Sequence, residues 1–168
     1  YGIIRMGTVL GECMPEKTAA NIFITRGLKG EAITPYKHSV YRPMLYVDIS
    51  DICKAYEIYT RKILNDEINK SGNSLTHIVN VYYPKPITIF ELAETIRSII
   101  IKYTNGKVKP EVSVIDKKLP VLFTEQDKSN IKVDISKAID LLGLEKLMSP
   151  RQSIEEIIKM RVKYLSIR

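Results

Sequence analysis

The chain has 168 residues, of which 45% are hydrophobic and 27% are charged. This length and composition are typical of one globular domain or of part of a larger protein. The 26 basic and 19 acidic residues give a net charge of +7, which suits an anionic partner, either a nucleic acid or a phosphorylated small molecule. The basic residues are scattered among acidic ones without an aromatic-interleaved stripe, so a nucleic-acid-binding module is the weaker interpretation.

The two cysteines, Cys13 and Cys53, cannot form a disulfide framework and share no metal-ligand spacing with His38 or His77. The sequence therefore predicts no metal site, and reduced thiols are typical of a cytoplasmic protein. No apolar run is long enough to span a membrane. Because the chain enters an apolar run directly after Tyr1, we expect it to be a piece of a longer polypeptide.

The first half of the chain predicts a strand, a helix, a short strand and a second helix. In order, these segments read GIIRMGTVL, TAANIFITRGLKG, MLYV and DICKAYEIYTRKIL. The first strand is mostly apolar, which predicts burial on both faces as in a parallel sheet. Helical spacing places Ile22 on the apolar face of the first helix and Tyr56 on that of the second. Asp48 or Ser50 is expected to cap the second helix.

The second half predicts a loop followed by alternating strand and helix patterns. In order, these segments read NKSGNS, HIVNVYY, TIFELAETIRSIIIKYTNG, EVSVID, DISKAIDLLG and SIEEIIKMRVKYL. Thr88 and Glu91 predict a capping box at one helix start, and Ser153 and Glu156 predict another. The alternation indicates an α/β fold with at least two parallel strands, and the sequence contains no internal repeat.

No catalytic motif is visible in the sequence. A dinucleotide-binding turn needs three closely spaced glycines after a strand, and neither this motif nor a phosphate-binding P-loop occurs. Tyr103 and Lys107 have the four-residue spacing of a short-chain dehydrogenase acid/base pair. We reject this match because Asn105 and Gly106 would end the helix that must present both side chains on one face.

Polar residues instead follow or flank the predicted strand ends, where open α/β sheets bind their ligands. These residues are Thr8, Asn21, Arg42 and Asp51. Each also has a purely structural interpretation. The threonine is a good strand former, the asparagine starts a helix, the arginine lies in a loop, and the aspartate suits the first turn of a helix.

Five segments, taken in order, resemble the NAD-dependent epimerase/dehydratase family of extended short-chain dehydrogenases, most closely UDP-sugar 4-epimerases. They read IIRMGTVLGECMP, NIFITRGLKGEAITPY, YRPMLYVDISDICKAYE, NVYYPKPITIFELAETI and KVDISKAIDLLGL followed by SPRQSIEEII. The resemblance covers essentially the whole chain. In the first segment Arg5, Thr8, Val9 and Gly11 match the family pattern, whereas the chain departs from it by having Leu10 for an aromatic residue and Glu12 for a proline.

The resemblance implies that residues 1–168 form a single unit, the C-terminal part of a Rossmann-like fold with its small substrate-binding subdomain. The N-terminal half, absent here, would hold the glycine-rich NAD turn and the catalytic Tyr/Lys pair. In the family, NAD removes a hydride from a sugar carbon while the tyrosine takes the hydroxyl proton. This chain alone is then expected to be inactive, to contain no catalytic residue and to work with its own N-terminal half, commonly as a homodimer.

The resemblance also implies a set of binding residues. Near the nicotinamide of NAD it places Met6, Gly7 and Thr8. On the nucleotide-sugar substrate it places Thr8, Asn21, Ile22, Tyr36 and Arg42. The tyrosine would lie beside the base, and the arginine would grip the diphosphate with its two-pronged guanidinium.

Two questions stay open at this point. About six residues usually separate the family's arginine from the aspartate that opens the next helix, but eight separate Arg42 from Asp51. Either the loop is longer or Asp48 takes the place of that aspartate. The substituted position at Glu12 also leaves open a non-catalytic relative that binds a dinucleotide or sugar nucleotide.

Overall fold

The computed structural model describes residues 2–68 and 77–166, and the loop predicted over residues 69–74 lies outside these ranges. The strands are β1 (Ile3–Met6), β2 (Thr8–Leu10), β3 (Pro43–Met44), β4 (Tyr46–Asp48), β5 (Ile78–Val81) and β6 (Ile87–Thr88). The helices are α1 (Ala19–Leu28), α2 (Ile49–Leu64), α3 (Ile89–Tyr103), α4 (Ser136–Leu142) and α5 (Pro150–Ser166). The α/β class is confirmed.

The strands pair in twos, and two of the three pairs are parallel. β1 pairs with β5, beginning at Ile3 opposite Ile78, and β2 pairs with β4, beginning at Thr8 opposite Tyr46. β3 and β6 form a short antiparallel pair. The prediction of at least two parallel strands is therefore confirmed.

The predicted first strand is broken at Gly7, which separates β1 from β2. A Cβ atom at Gly7 would lie 2.4 Å from the main-chain oxygen of Leu45. The same oxygen accepts a hydrogen bond of 2.8 Å from the Thr8 N–H. Because the chain shifts at this point, β1 and β2 pair with different partners instead of forming one long strand.

The prediction that the first strand is buried on both faces is wrong for β1. Ile3 is 44% exposed and Met6 is 38% exposed. The physical reason is that, within the described residues, β1 has a hydrogen-bonded neighbour on one edge only. β2 is better covered, and Leu10 at its end is fully buried.

The β2–β4 pair separates two hydrophobic cores. Leu10 and Tyr46 contribute to a core formed mainly with α1, α3 and α5. Val47 contributes to a second core formed mainly with α2, α4 and β5, and Val9 packs against it. Since neighbouring residues of a strand point to opposite faces, these short strands connect helix layers on both sides.

The helix ends are predicted with mixed success. The capping box of Thr88 and Glu91 at α3 is confirmed, with both reciprocal hydrogen bonds present. Asp48 rather than Ser50 caps α2. Of the two alternatives for the Arg42 loop, the structure thus has Asp48 opening the helix.

The capping box predicted at Ser153 is wrong, because Ser153 lies buried inside α5. The helix begins at Pro150, whose ring fixes a helical φ angle at a position where no N–H is needed. Ser149 and Gln152 exchange hydrogen bonds around this start, and Gln152 Oε1 accepts from the Ser149 N–H at 3.0 Å.

Two residues placed on apolar helix faces are exposed instead. Ile22 is 40% exposed on α1, and Tyr56 is about half exposed on α2. The predicted strand EVSVID forms only two isolated bridges, both with the extended segment that follows α1. They pair Ile33 with Val112 and Tyr36 with Ile115. That residues 1–168 form a single unit stays a prediction.

Within residues 2–68 and 77–166, none of the helices combines the length and the apolar character that a bilayer span requires. The same part of the chain contains no group of three or more metal-ligating side chains.

Candidate functional site

A cavity of about 210 Å³ lies where β2 meets the start of α1, and we call it the strand-end cavity. It is lined by Thr8, Val9, Leu10, Met14, Thr18, Ala19, Ala20, Met44 and Tyr46. The parallel pairing of β2 with β4 brings two strands to the same edge, and the loop of residues 11–18 closes the cavity from the side. Open α/β sheets bind ligands beyond the carboxyl ends of their strands. Here Leu10 at the carboxyl end of β2 and Met14 in the loop that follows line the cavity, together with Thr8 and Tyr46, the first residues of β2 and β4.

The N-terminus of α1 supplies free donors to the strand-end cavity. Thr18 caps the helix, since its Oγ1 accepts from the Asn21 N–H at 3.4 Å. Within the described part of the chain, the N–H groups of Ala19 and Ala20 have no acceptor. Unpaired N–H groups and the helix dipole together favour an anionic group such as a phosphate.

Tyr46 lines the strand-end cavity, and the positively charged Arg42 lies near the Tyr46 side chain. The Tyr46 side chain is almost fully buried, and this burial raises its pKa to about 12 although the charge of Arg42 acts in the opposite direction. The phenol therefore stays protonated at neutral pH and can donate a hydrogen bond. Arg42 is itself exposed, so its guanidinium is accessible to an anion.

Asn21 is committed to contacts within the protein. Its Nδ2 donates to the Met14 carbonyl oxygen at 2.9 Å, while its Oδ1 accepts from Thr25 at 3.2 Å and from Arg161 at 2.8 Å. Asn21 and Ile22 line a different cavity of about 480 Å³ between α1 and α5. The amide of Asn21 therefore serves first to hold the loop before α1.

Tyr36 lies in the extended segment that precedes Arg42 and does not line the strand-end cavity. Its ring stacks on His38 with centroids 5.8 Å apart, and Lys117 Nζ lies 5.5 Å from the ring centroid. The ring is 45% exposed, so an aromatic surface with a nearby cation is available to a flat ligand.

Met6 and Gly7 form the joint between β1 and β2, next to Thr8. The absence of a side chain at Gly7 has a structural reason of its own, because the Leu45 carbonyl fills the space. Asp51, the last of the polar residues near strand ends, accepts a hydrogen bond of 2.8 Å from the Met148 N–H and so helps fix the segment before α5.

A larger cavity, of about 570 Å³, contains none of the predicted site residues. It lies between the β5–β6 loop, the turn at Glu125–Lys128 and the start of α5, and it is lined in part by Lys85 and Arg151. The predicted site residues therefore do not lie at the larger of these cavities.

The structure thus brings together only some of the predicted residues. Thr8 lines the strand-end cavity, and Arg42 lies near Tyr46 in its lining. Asn21 and Ile22 line the neighbouring cavity instead, and Tyr36 lies on a separate segment. Sequence reasoning missed Tyr46 and Arg161. The alternation of MLYVD around the strand could have indicated an inward-facing Tyr46, but Arg161 reaches the site from 140 residues away without a local signal.

Comparison with known proteins gives matches among solved structures only. No family model and no curated protein matches the chain. The UDP-glucose 4-epimerase of Thermotoga maritima, solved with UDP-glucose, has a TM-score of 0.65 at 19% identity, covering 98% of this chain and 47% of that one. The dTDP-glucose 4,6-dehydratase of Bacillus anthracis, solved with NAD, has a TM-score of 0.64 at 14% identity, covering 95% and 44%.

A third match is the UDP-glucuronic acid 4-epimerase of Bacillus cereus, solved with UDP-glucuronic acid and NAD, with a TM-score of 0.64 at 17% identity, covering 98% of this chain and 45% of that one. This chain has the fold of their C-terminal part. The resemblance seen in the sequence is thereby confirmed at the level of the fold. The chain spans less than half the length of each of these three structures.

Proposed function

We propose that the chain is the substrate-binding portion of an NAD-dependent nucleotide-sugar epimerase or dehydratase, related to UDP-sugar 4-epimerases. The observation that carries the proposal is the fold match, which covers nearly all of this chain with enzymes solved in complex with UDP-sugars and NAD. The strand-end cavity supports it independently, because it offers donors for an anion at the edge where such sheets bind ligands.

In this proposal the substrate diphosphate lies at the start of α1. Thr8, Ala19 and Ala20 line the strand-end cavity, and Arg42 lies close enough to Tyr46 in the lining to act on its pKa. A guanidinium can donate two parallel hydrogen bonds to one phosphate, which gives both affinity and orientation.

The remaining predicted contacts fit less directly. Tyr36 offers an exposed ring for the base. Asn21 and Ile22 stay predicted substrate residues, although the bonds from Asn21 to Met14 and Arg161 support an indirect role in which it fixes the helix start.

The strand-end cavity is too small for a complete nucleotide-sugar. Binding pockets for ligands of this size usually enclose about 300–1,000 Å³, whereas the cavity has about 210 Å³. We infer that it is one wall of the pocket, and that a further part of the enzyme, its N-terminal half, supplies the other wall. The open edge of β1, with Ile3 and Met6 exposed, is a surface that can pair with an additional strand.

NAD is the cofactor of the proposed enzyme, and when bound it accepts a hydride from the sugar and returns one. The described residues offer no glycine-rich cradle for its pyrophosphate, so they fit NAD only at the joint of Met6, Gly7 and Thr8. Most of the cofactor site, with the catalytic Tyr/Lys pair, would belong to the N-terminal half. We therefore propose that this chain alone catalyses no turnover and that the intact enzyme is a cytoplasmic homodimer, in keeping with the free, exposed thiols of Cys13 and Cys53.

Titration of the chain with UDP-glucose by isothermal calorimetry tests the proposal, with glucose as the control that lacks the diphosphate. We expect the Arg42→Ala variant to weaken UDP-glucose binding by about 10-fold or more, because a hydrogen bond to a charged group contributes about 1.5–3 kcal/mol. Arg151→Ala is the matched control, since this exposed arginine lines the larger cavity. Because the proposed diphosphate site lies within this chain, weak binding should survive without the other wall of the pocket. Equal affinities of all three proteins, or no binding by the unmodified chain, would therefore refute the proposal.

A further inference from the structure

Arg161 connects α5 to two elements near the beginning of the chain. Its Nη1 donates to Asn21 Oδ1 at 2.8 Å and to Thr25 Oγ1 at 3.3 Å, which binds it to α1. Its Nη2 donates to the main-chain oxygen of Glu12 at 3.3 Å, and its Nε lies 3.7 Å from Glu12 Oε1. The side chain is only 18% exposed, so these contacts are largely shielded from water.

The contacts of Arg161 converge on the loop of residues 11–18, which closes the strand-end cavity. Glu12 belongs to this loop and is held directly. Met14 lines the cavity and is held through Asn21, whose Nδ2 donates to the Met14 carbonyl oxygen at 2.9 Å. A continuous series of polar contacts therefore runs from α5 through α1 to the cavity wall.

The loop has few other polar contacts. Its remaining hydrogen bonds within the described residues are local, such as those from the Met14 N–H to Gly11 and from the Thr18 N–H to Pro15, both of 3.1 Å. Local bonds define turns within the loop but do not fix its position against the rest of the protein. Among the described polar contacts that reach another part of the fold, Glu12 is held by Arg161 and Met14 by Asn21, while Thr18 at the end of the loop caps α1.

We propose that Arg161 is a positioning residue, which holds loop 11–18 in the conformation that forms the wall of the strand-end cavity. Glu12 has a part in this arrangement, because Arg161 binds both its carboxylate and its main-chain carbonyl oxygen. The significance of this for ligand binding rests on the proposed function.

Hydrogen–deuterium exchange of the ligand-free chain tests the inference without any ligand. In the Arg161→Met variant, which keeps the apolar stem and removes the guanidinium, we expect amide exchange in residues 11–18 to accelerate by about 10-fold or more, since the loop loses its direct hydrogen bond and its ion pair to α5. Arg161→Lys keeps the charge without the forked geometry and should lie in between. Arg151→Met is the matched control, because Arg151 is on the same helix but lines the larger cavity of about 570 Å³. This variant should leave exchange in residues 11–18 unchanged.

The Glu12→Gln variant covers the case in which Arg161→Met does not fold. It removes the ion pair without altering α5, and it should accelerate exchange in the same residues. If neither Glu12→Gln nor Arg161→Lys alters exchange in residues 11–18, the inference is wrong, and the same holds if Arg151→Met has an equal effect.

UDP-glucose titration then separates the two proposals. If the unmodified chain binds UDP-glucose, Arg161→Met should raise its dissociation constant by about 10-fold, and an unchanged constant would overturn the positioning role. If the unmodified chain does not bind but exchange in the loop accelerates as expected, the proposed function fails while the positioning of the loop by Arg161 stands.

Discussion

Replacing Gly7 by alanine tests whether packing against the main chain, rather than a ligand, explains the glycine. The new Cβ would lie 2.4 Å from the Leu45 oxygen and 2.8 Å from the Leu45 carbonyl carbon. These are main-chain atoms, so β2 and β4 must move apart. Forced overpacking costs about 1–3 kcal/mol, and weakening the hydrogen bond from Thr8 to Leu45 adds about 1 kcal/mol. We expect the free energy of unfolding to fall by about 2–4 kcal/mol.

Gly11→Ala is the matched control on the same segment. Its Cβ would lie 2.9 Å from Cγ2 and 3.1 Å from Cβ of Ile49, which are side-chain atoms of an exposed residue rather than main-chain atoms, so we expect a smaller loss of about 1 kcal/mol. Urea denaturation followed by circular dichroism gives both values. If Gly7→Ala destabilises the chain no more than Gly11→Ala, the close approach of Leu45 does not determine the residue at position 7, and contact with a ligand becomes the better explanation.

Two carboxylates give predictions of opposite sign. Burial alone would raise the pKa of Glu91, but hydrogen bonds from Lys128 and the Thr88 N–H hold this pKa below its ordinary value. The ionised carboxylate therefore stabilises the fold above about pH 4–5, and this stabilisation is lost as the pH falls through the lowered pKa. Glu91→Gln should flatten the acid limb of a plot of urea midpoint against pH, and an unaltered limb would contradict this. Burial raises the pKa of Asp51, so the fold loses stability as pH rises from the ordinary value through the raised one. Asp51→Asn should therefore be at least as stable as the unmodified chain at pH 7, whereas Asp51→Ala, which leaves the Met148 N–H without its acceptor, should be less stable by about 1–3 kcal/mol in the same assay.

Features encoded within a few residues could be predicted from the sequence, and features that depend on distant partners could not. The capping box at α3 could be predicted, because Thr88 and Glu91 are only three residues apart. At α5, the helix begins at Pro150 rather than after Ser153, because Ser149 and Gln152 exchange hydrogen bonds one turn earlier and the proline has no N–H that needs a partner. The break at Gly7 could not be read from the apolar run, since it depends on the position of Leu45, far along the chain.

The candidate site follows the same division. Thr8, predicted by the rule that ligands bind at strand ends, lines the strand-end cavity, and Arg42 lies near Tyr46. That either residue binds a ligand stays a prediction. The use of Asn21 within the protein could not be foreseen. Its acceptor and donor partners are brought to it by the packing of α5 and by the turn before α1.

The contact between Glu12 and Arg161 joins residues 149 positions apart, and this separation has a consequence for the order of folding during synthesis. At about 5–20 residues per second, a ribosome needs about 7–30 seconds to add the residues between them. During that interval β2 and α1 are already synthesised, but loop 11–18 lacks the guanidinium that fixes it. The cavity wall therefore reaches its final form only after Arg161 has been added, and a nascent chain that ends before Arg161 should leave the loop open to proteolysis even where α1 is already folded.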